Sequence, residues 1–291
     1  MIRLLFLLII PFISVAIDPA LFYKTYTLKE KDFKKAVESL KQSMQSNGLS
    51  VDKVLTVSEA IKARNSNTDF GDYSIIFGCN SPKLQSITLK EPALLNLIPC
   101  SVAVYKIGSD SVKVSILNHM PLVGMYKSSL TAQEVKEIDT TFKKLNMAIA
   151  KLSAKNPPSQ KMPSRAFKEN LVKEFELKGL DYDSAKTLLK TSLDGVNMNV
   201  LDVLEPSKNL SVFLACNLSY GEEILKKMPE FGTFAPCRVY LISSEKGLRV
   251  GFLNIPALLN LFSAHLSEKE KEIFRKAYSD MLQAYKDTSG Q

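Results

Sequence analysis

The chain has 291 residues, 45% of them hydrophobic and 23% charged, with a formal net charge of +8. Such a length predicts about two domains, and the composition is that of a packed globular protein, which excludes disorder of the whole chain. The positive excess sits in pairs such as Lys34-Lys35, Lys143-Lys144 and Lys226-Lys227, beside acidic residues. These read as solvated helix faces, and no dense basic run or basic–aromatic interleaving points to nucleic acid.

Residues 1–16 read as a secretory signal. Arg3 supplies the positive region, Leu4 to Ile13 the apolar core, and Ser14-Val15-Ala16 the small residues of a cleavage position. The apolar run is short for a bilayer span, which takes about 20 residues. No other segment has the length and apolarity of a span. The mature chain is therefore expected to be periplasmic or secreted, with no stable membrane insertion after cleavage. In an exported chain, an even number of cysteines is a disulfide signal.

After the leader, Phe22 to Leu28 alternates aromatic and polar residues, as a strand does. Asp32 is placed to cap a helix whose apolar face carries Phe33, Ala36, Val37, Leu40 and Met44. Asn47-Gly48 stops it. Leu49 to Val57 alternates again as a second strand, and residues 62–72, polar and rich in Gly and Asn, read as a loop. Tyr73 to Gly78 is a compact apolar strand ending at Cys79. Asn80 or Ser81 followed by Pro82 opens a helix. Glu91-Pro92 restarts a helical turn, and Pro99 ends it before the strand Val102 to Ile107. Val112 to Leu117 is the next strand. Thr131 and Glu134 form a capping box that opens a long helix carrying Val135, Ile138, Phe142, Leu145, Ile149 and Leu152 on one stripe.

Residues 153–168 carry three prolines and no apolar period, and read as a linker between a first domain at 17–152 and a second at 169–291. The second domain repeats the first. Val172 to Lys178 mirrors Tyr23 to Lys29, Ser211 to Asn217 mirrors Ser74 to Asn80, and Leu248 to Asn254 mirrors Val112 to Asn118. Ser267 and Glu270 repeat the capping box. The main length difference is the 62–72 loop. Each copy reads β-α-β-β-(short helix)-β-β-α, an α+β fold occurring twice.

The four cysteines of the chain mark the same place in both copies. Cys79-Asn80 and Pro99-Cys100 bracket one stretch, Cys216-Asn217 and Pro236-Cys237 the other. The third strand of each copy ends at the first cysteine and the fourth begins at the second. If the two strands are antiparallel neighbours, both thiols lie at one sheet edge, within the roughly 4.4–6.8 Å between Cα atoms that a disulfide needs. This Cys-Asn-(Pro) … Pro-Cys pattern resembles the domain-of-unknown-function family 302. The resemblance covers about 130 residues in each copy by rough count. It implies two TATA-binding-protein-like β-α-β4-α repeats, and since members of that family form homodimers, a tandem is expected as a monomer with an internal pseudo-dimer. Two departures stand out: Ser81 intervenes before Pro82, and the second copy has Leu218-Ser219 with no proline.

Several chemistries fit the cysteines. Two disulfides, Cys79–Cys100 and Cys216–Cys237, would each close a loop of about 22 residues and stabilise by about 3 kcal/mol in the chain-entropy model. A redox-active or sulfur-handling thiol pair is the alternative, because Cys79 and Cys216 precede capped helix starts, where a thiol pKa falls; Ser219 and Glu222 read as the second capping box. Haem or metal ligation is a third reading, though two thiolates per copy leave zinc short of four ligands. Buried free thiols are the fourth. The two histidines, His119 and His265, are not at equivalent positions and read as surface or strand-end residues. Asn80 and Asn217 are ligand-facing candidates as well as backbone caps. No nucleotide-binding glycine pattern, esterase elbow or zincin motif is present. The expectation is therefore a non-enzymatic module without a cofactor, binding a small ligand or a protein partner.

Overall fold

The computed structural model describes residues 19–98, 100–107, 110–126, 128–157, 170–235 and 237–290. The expected signal, most of the expected linker, Pro99 and Pro236 lie outside the described residues.

The first copy contains β1 (Tyr23–Leu28), α1 (Phe33–Ser46), β2 (Val51–Thr56), α2 (Val57–Arg64), β3 (Asp72–Gly78) and α3 (Pro82–Lys90). A 3-10 turn, Pro92–Asn96, leads into β4 (Cys100–Lys106), β5 (Lys113–Leu117), α4 (His119–Met125), α5 (Ala132–Leu152) and β6 (Ser153–Lys155). The second copy contains β7 (Val172–Glu176), α6 (Tyr182–Gly195), β8 (Asn199–Ser207), β9 (Leu210–Cys216) and α7 (Leu218–Lys227). A matching 3-10 turn, Pro229–Thr233, leads into β10 (Cys237–Ser244), β11 (Gly247–Leu253), α8 (Ile255–Phe262) and α9 (Glu268–Ser289).

Each copy builds one antiparallel sheet. The strand orders are β2-β3-β4-β5-β1-β6 and β7-β11-β10-β9-β8. Read from the edge strand inward, the five shared strands follow the same path in both copies. Caps act as read. Asp32 accepts the Lys35 N–H, Asp181 accepts that of Ser184, and both long helices begin at complete capping boxes, Thr131/Glu134 and Ser267/Glu270. Each cap satisfies an amide that the first helical turn leaves without a partner.

Three features differ from the sequence reading. Residues 57–64, of which Val57 was read as strand end and 62–64 as loop, form α2. Glu59 in its first turn and Lys62 and Arg64 in its last complement the helix dipole, and Ile61 is fully buried. Ser153–Lys155, read as the start of the linker, is a strand that pairs with β1 and covers that edge of the sheet. The residues after the fifth strand of each copy form the short helices α4 and α8.

The central strands are buried along their whole length. β3 is buried from Tyr73 to Gly78, and β9 from Leu210 to Ala215. An antiparallel sheet with one wet face would alternate. Here both faces are covered. In the first copy α1 and α5 pack together on one face, while the Pro229–Thr233 turn of the second copy lies against β4 and β5. In the second copy α6 and α9 pack together, and the Pro92–Asn96 turn of the first copy lies against β10. The continuous apolar runs in these strands are thus the sequence signature of contact between copies.

Candidate functional site

The two cysteine pairs have the same strand frame and different outcomes. Gly78 pairs with Cys100 across β3 and β4, and Ala215 pairs with Cys237 across β9 and β10. Cys79 and Cys100 are joined, with Cα atoms 5.5 Å apart. Cys216 and Cys237, expected as the second staple, are free thiols. The backbones diverge at the first cysteine. Cys79 leaves its strand in the left-handed region with φ 66°, which a residue with a Cβ rarely adopts. Cys216 stays in β9, paired with Asn199 on β8.

The helix start beside Cys216 does not make a thiolate. Burial pushes the Cys216 thiol up to about 12, with the neighbouring Cys237 adding to the rise, and pushes Cys237 up to about 11. What accessible surface the two side chains retain faces an apolar cavity. Desolvation is the largest cause at both thiols, and both shifts run opposite to the lowering expected at a helix start.

The asparagines also divide. Ser81, and not Asn80, caps α3 by accepting the Leu84 N–H; Asn80 donates its backbone N–H to Ser50 Oγ. Asn217 caps α7, its Oδ1 accepting from Ser219 and Tyr220, so the capping box read at Ser219 and Glu222 is not the helix start. Asn217 is also on the cavity wall.

That cavity lies where the two copies differ in one side chain. Because both cysteine pairs are 21 residues apart, the stretches align without a gap, and Gly221 falls opposite Leu84. Leu84 is 1% exposed and fills its site. At Gly221 there is no side chain, and an added Cβ would meet only Cys216 Sγ, at 3.4 Å. A cavity of about 60 Å³ opens there, walled by Cys216, Cys237, Phe231, Phe234, Phe274 and Ile255 among others. A second, of about 190 Å³, lies across the boundary between copies, walled by Val57, Ala60 and Ile61 of α2 and by Leu218 and Leu225 of α7. Cys216, Gly221, Leu225 and Ala235 belong to both walls. The surface is almost wholly apolar.

Polar contacts between the copies hold this arrangement. Tyr73, fully buried, donates its hydroxyl to the Pro229 carbonyl. The approach requires Gly232, because a Cβ there would lie 1.8 Å from Tyr73 Oη. Tyr105 donates to Glu230 Oε1 at 3.0 Å. Arg238, 3% exposed, donates to the Leu95 carbonyl and to Ser101 Oγ, with its guanidinium 5.5 Å from the centre of the Phe77 ring. Burial lowers its pKa to about 9, which leaves the cation charged at neutral pH.

The loop unique to the first copy docks on α7. Arg64 Nη2 lies 2.6 Å from Glu222 Oε2, Thr68 donates its hydroxyl to Glu222 Oε1, and Lys226 bridges Glu222 at 3.0 Å and Asp69 at 2.6 Å. The Thr68 hydroxyl is the largest cause of the lowered Glu222 pKa, followed by the Lys226 and Arg64 cations.

His119 is a correction. It does follow a strand, but it is 3% exposed, stacked on Phe142 with ring centres 4.2 Å apart, and its Nε2 lies 3.4 Å from Asp139 Oδ1. Burial lowers its pKa to about 4. His265 is exposed. Among the described residues, no group of three or more His, Cys, Asp or Glu is placed to hold a metal ion, and no helix is long and apolar enough to cross a membrane.

Gly221, Tyr73, Gly232 and Arg238 were not singled out from the sequence, and Glu222 was read only as a helix cap. Aligning the two cysteine stretches position by position exposes Gly221, and continuing one residue past the second cysteine sets Arg238 opposite Ser101. Nothing comparable marks Tyr73 or Glu222, whose partners lie in the other copy.

The family comparison bears out the repeat. A protein of Aquifex aeolicus (strain VF5), described only as uncharacterized, is 44% identical over 125 residues, covering 42% of this chain and 87% of that protein. A crystal structure of an uncharacterized conserved DUF302 protein from Bacillus stearothermophilus aligns with 19% identity and a TM-score of 0.38, covering 45% of this chain and 98% of that one. The family described as "Domain of unknown function DUF302" matches residues 24–152 and again 174–285. The chain therefore belongs to that family, as a tandem of two such domains.

Proposed function

We propose that this protein is an exported binding module in which the second copy takes a small apolar ligand and the first copy is its scaffold. The observation that carries the reading is Gly221 standing opposite Leu84: the same site is filled in one copy and hollow in the other. A hollow lined by apolar side chains stays dry and binds apolar guests. Free, protonated Cys216 and Cys237 act as soft apolar wall groups, while Cys79–Cys100 staples the filled copy. The two copies form a TATA-binding-protein-like pseudo-dimer, a reading supported by the reciprocal packing of each 3-10 turn on the other copy's sheet. The molecule is accordingly a monomer, exported after loss of residues 1–16.

Xenon, an apolar guest smaller than benzene, tests the reading. Saturating xenon should raise the melting temperature of the native chain and leave that of Gly221→Leu unchanged. No shift in the native chain would refute it. The mass of the chain recovered from cells tests cleavage after residue 16.

A further inference from the structure

We infer that the cleft between α8 and α9 is a further binding site, for a small monocarboxylate with an apolar body. This site does not rest on the hollow at Gly221. The cleft holds about 390 Å³. Ile255, Pro256 and Leu259 of α8 and the Tyr278 ring of α9 give it an apolar wall, and Lys271 and Arg275 of α9 bring cations to it. A mostly apolar concavity with a few converging polar groups is the usual form of a small-molecule site. An engineered cavity of about 150 Å³ takes one benzene, so on that scale the cleft has room for one ring and its carboxylate.

The charge at this place is reversed between the copies. The stretches Asn118 to Thr131 and Asn254 to Ser267 are equally long, so the long helices beyond them align without a gap. Ile255 then falls opposite His119, Lys271 opposite Val135, Arg275 opposite Asp139 and Tyr278 opposite Phe142. In the first copy Asp139 is used within the fold, 3.4 Å from His119 Nε2 and 2.6 Å from Lys143 Nζ. In the second copy Ile255 offers Arg275 no such partner. Among the described residues, the acids that reach Arg275 come from its own helix, Glu272 at 3.4 Å and Glu268 at 3.9 Å. Both are longer than the roughly 2.7–3.2 Å of a good N–H···O bond. Lys271, by contrast, is held by Glu268 at 2.7 Å. Exposed pairs as loose as those of Arg275 contribute little, so its planar fork is free to donate two parallel bonds to a carboxylate. Lys173 Nζ, 5.9 Å from the centre of the Tyr278 ring, adds a third positive charge at that wall. Glu268 and Glu272 stand beside the same cations, and their repulsion disfavours a dianion such as a phosphate monoester.

Titration of the native, full-length chain with benzoate, benzamide, acetate and phenyl phosphate, followed by NMR, tests the inference. Benzoate is expected to bind about tenfold more tightly than benzamide, its neutral isostere, the increment of one charge-assisted hydrogen bond. Acetate, which lacks the apolar body, should bind more weakly than benzoate. Arg275→Gln replaces an exposed side chain, so the fold is kept; it should lower benzoate affinity about tenfold and leave benzamide unchanged. Gly221→Leu should leave benzoate binding intact while removing the response to xenon, so the two sites fail separately. Equal affinities for benzoate and benzamide, or benzoate affinity unchanged in Arg275→Gln, would overturn the carboxylate site. Phenyl phosphate binding more tightly than benzoate would overturn the choice of a monoanion. Loss of benzoate binding in Gly221→Leu would place the guest in the other cavity and overturn this site. No binding of any of the four probes would overturn it as well, and leave the apolar-ligand reading to the xenon result.

Discussion

Arg238 donates a hydrogen bond to Ser101, the residue at its own position in the other copy. The pair therefore ties equivalent strand positions of the two copies directly to each other. A buried cation is costly unless its donors are satisfied. Here a carbonyl, a hydroxyl and an aromatic face meet it. Arg238→Met is therefore expected to lower stability by about 1–3 kcal/mol through the partners it strands. In a double-mutant cycle with Ser101→Ala by urea unfolding, the two changes should be non-additive. Strict additivity would show that the pair does not act together.

Gly232 and Tyr73 form a steric lock. Gly232→Ala puts a Cβ onto a hydroxyl that cannot move, because Tyr73 is fully buried. A loss of about 1–3 kcal/mol is expected from overpacking. Tyr73→Phe removes the clashing oxygen, and should recover part of the loss in the Gly232→Ala background while costing stability alone. No recovery in thermal unfolding would mean that the clash is elsewhere.

Gly221 should behave in the opposite way. It lies within α7, and its added Cβ meets only an ordinary contact with Cys216. Gly221→Ala is expected to stabilise by about 1 kcal/mol, the helix-propensity difference. A melting temperature that falls would show that the position is already tightly packed.

His119 makes the fold acid-sensitive. Its pKa is lowered from 6.5 to about 4 by burial, opposed by the hydrogen bond to Asp139 and aided by Lys24 and Lys143. The unfolded chain therefore binds this proton at a higher pH than the native one. Stability is fully present above about pH 6.5 and is lost as pH falls towards 4, by about 3 kcal/mol at most. In His119→Phe, which keeps the stack on Phe142, the slope of stability against pH between 6.5 and 4 should flatten. An unchanged slope would assign the sensitivity to other groups.

The cysteine pairs should separate chemically. The unreduced, denatured chain is expected to titrate two thiols, Cys216 and Cys237. Reduction, or Cys79→Ser with Cys100→Ser, should lower stability by about 3 kcal/mol, whereas Cys216→Ala should leave the melt little changed. Four thiols, or none, would contradict the asymmetry between the copies.

The repeat, the strands and the helix caps were legible in the sequence because each is local or periodic: a cap lies three residues from its amide, and a strand shows its alternation over a few residues. The burial of β3 and β9 on both faces was written there too, as uninterrupted apolar runs, but its cause was not, because the covering turn belongs to the other copy. Helix α2 was missed since its apolar face is narrow, with Ile61 as its anchor, and it is held by packing on β3 of its own copy and on α7 of the other. Equal cysteine spacing promised equal chemistry. Tertiary packing decided otherwise, since the backbone at Cys79 turns left-handed while Cys216 stays in its strand. Burial, which depends on every neighbour, then set the thiol pKa values against the local helix start. The sequence by itself determined two like domains and the caps and strands within each; only the tertiary structure decided which cysteine pair is joined and which turn covers which sheet, because both depend on contacts between residues far apart in the chain.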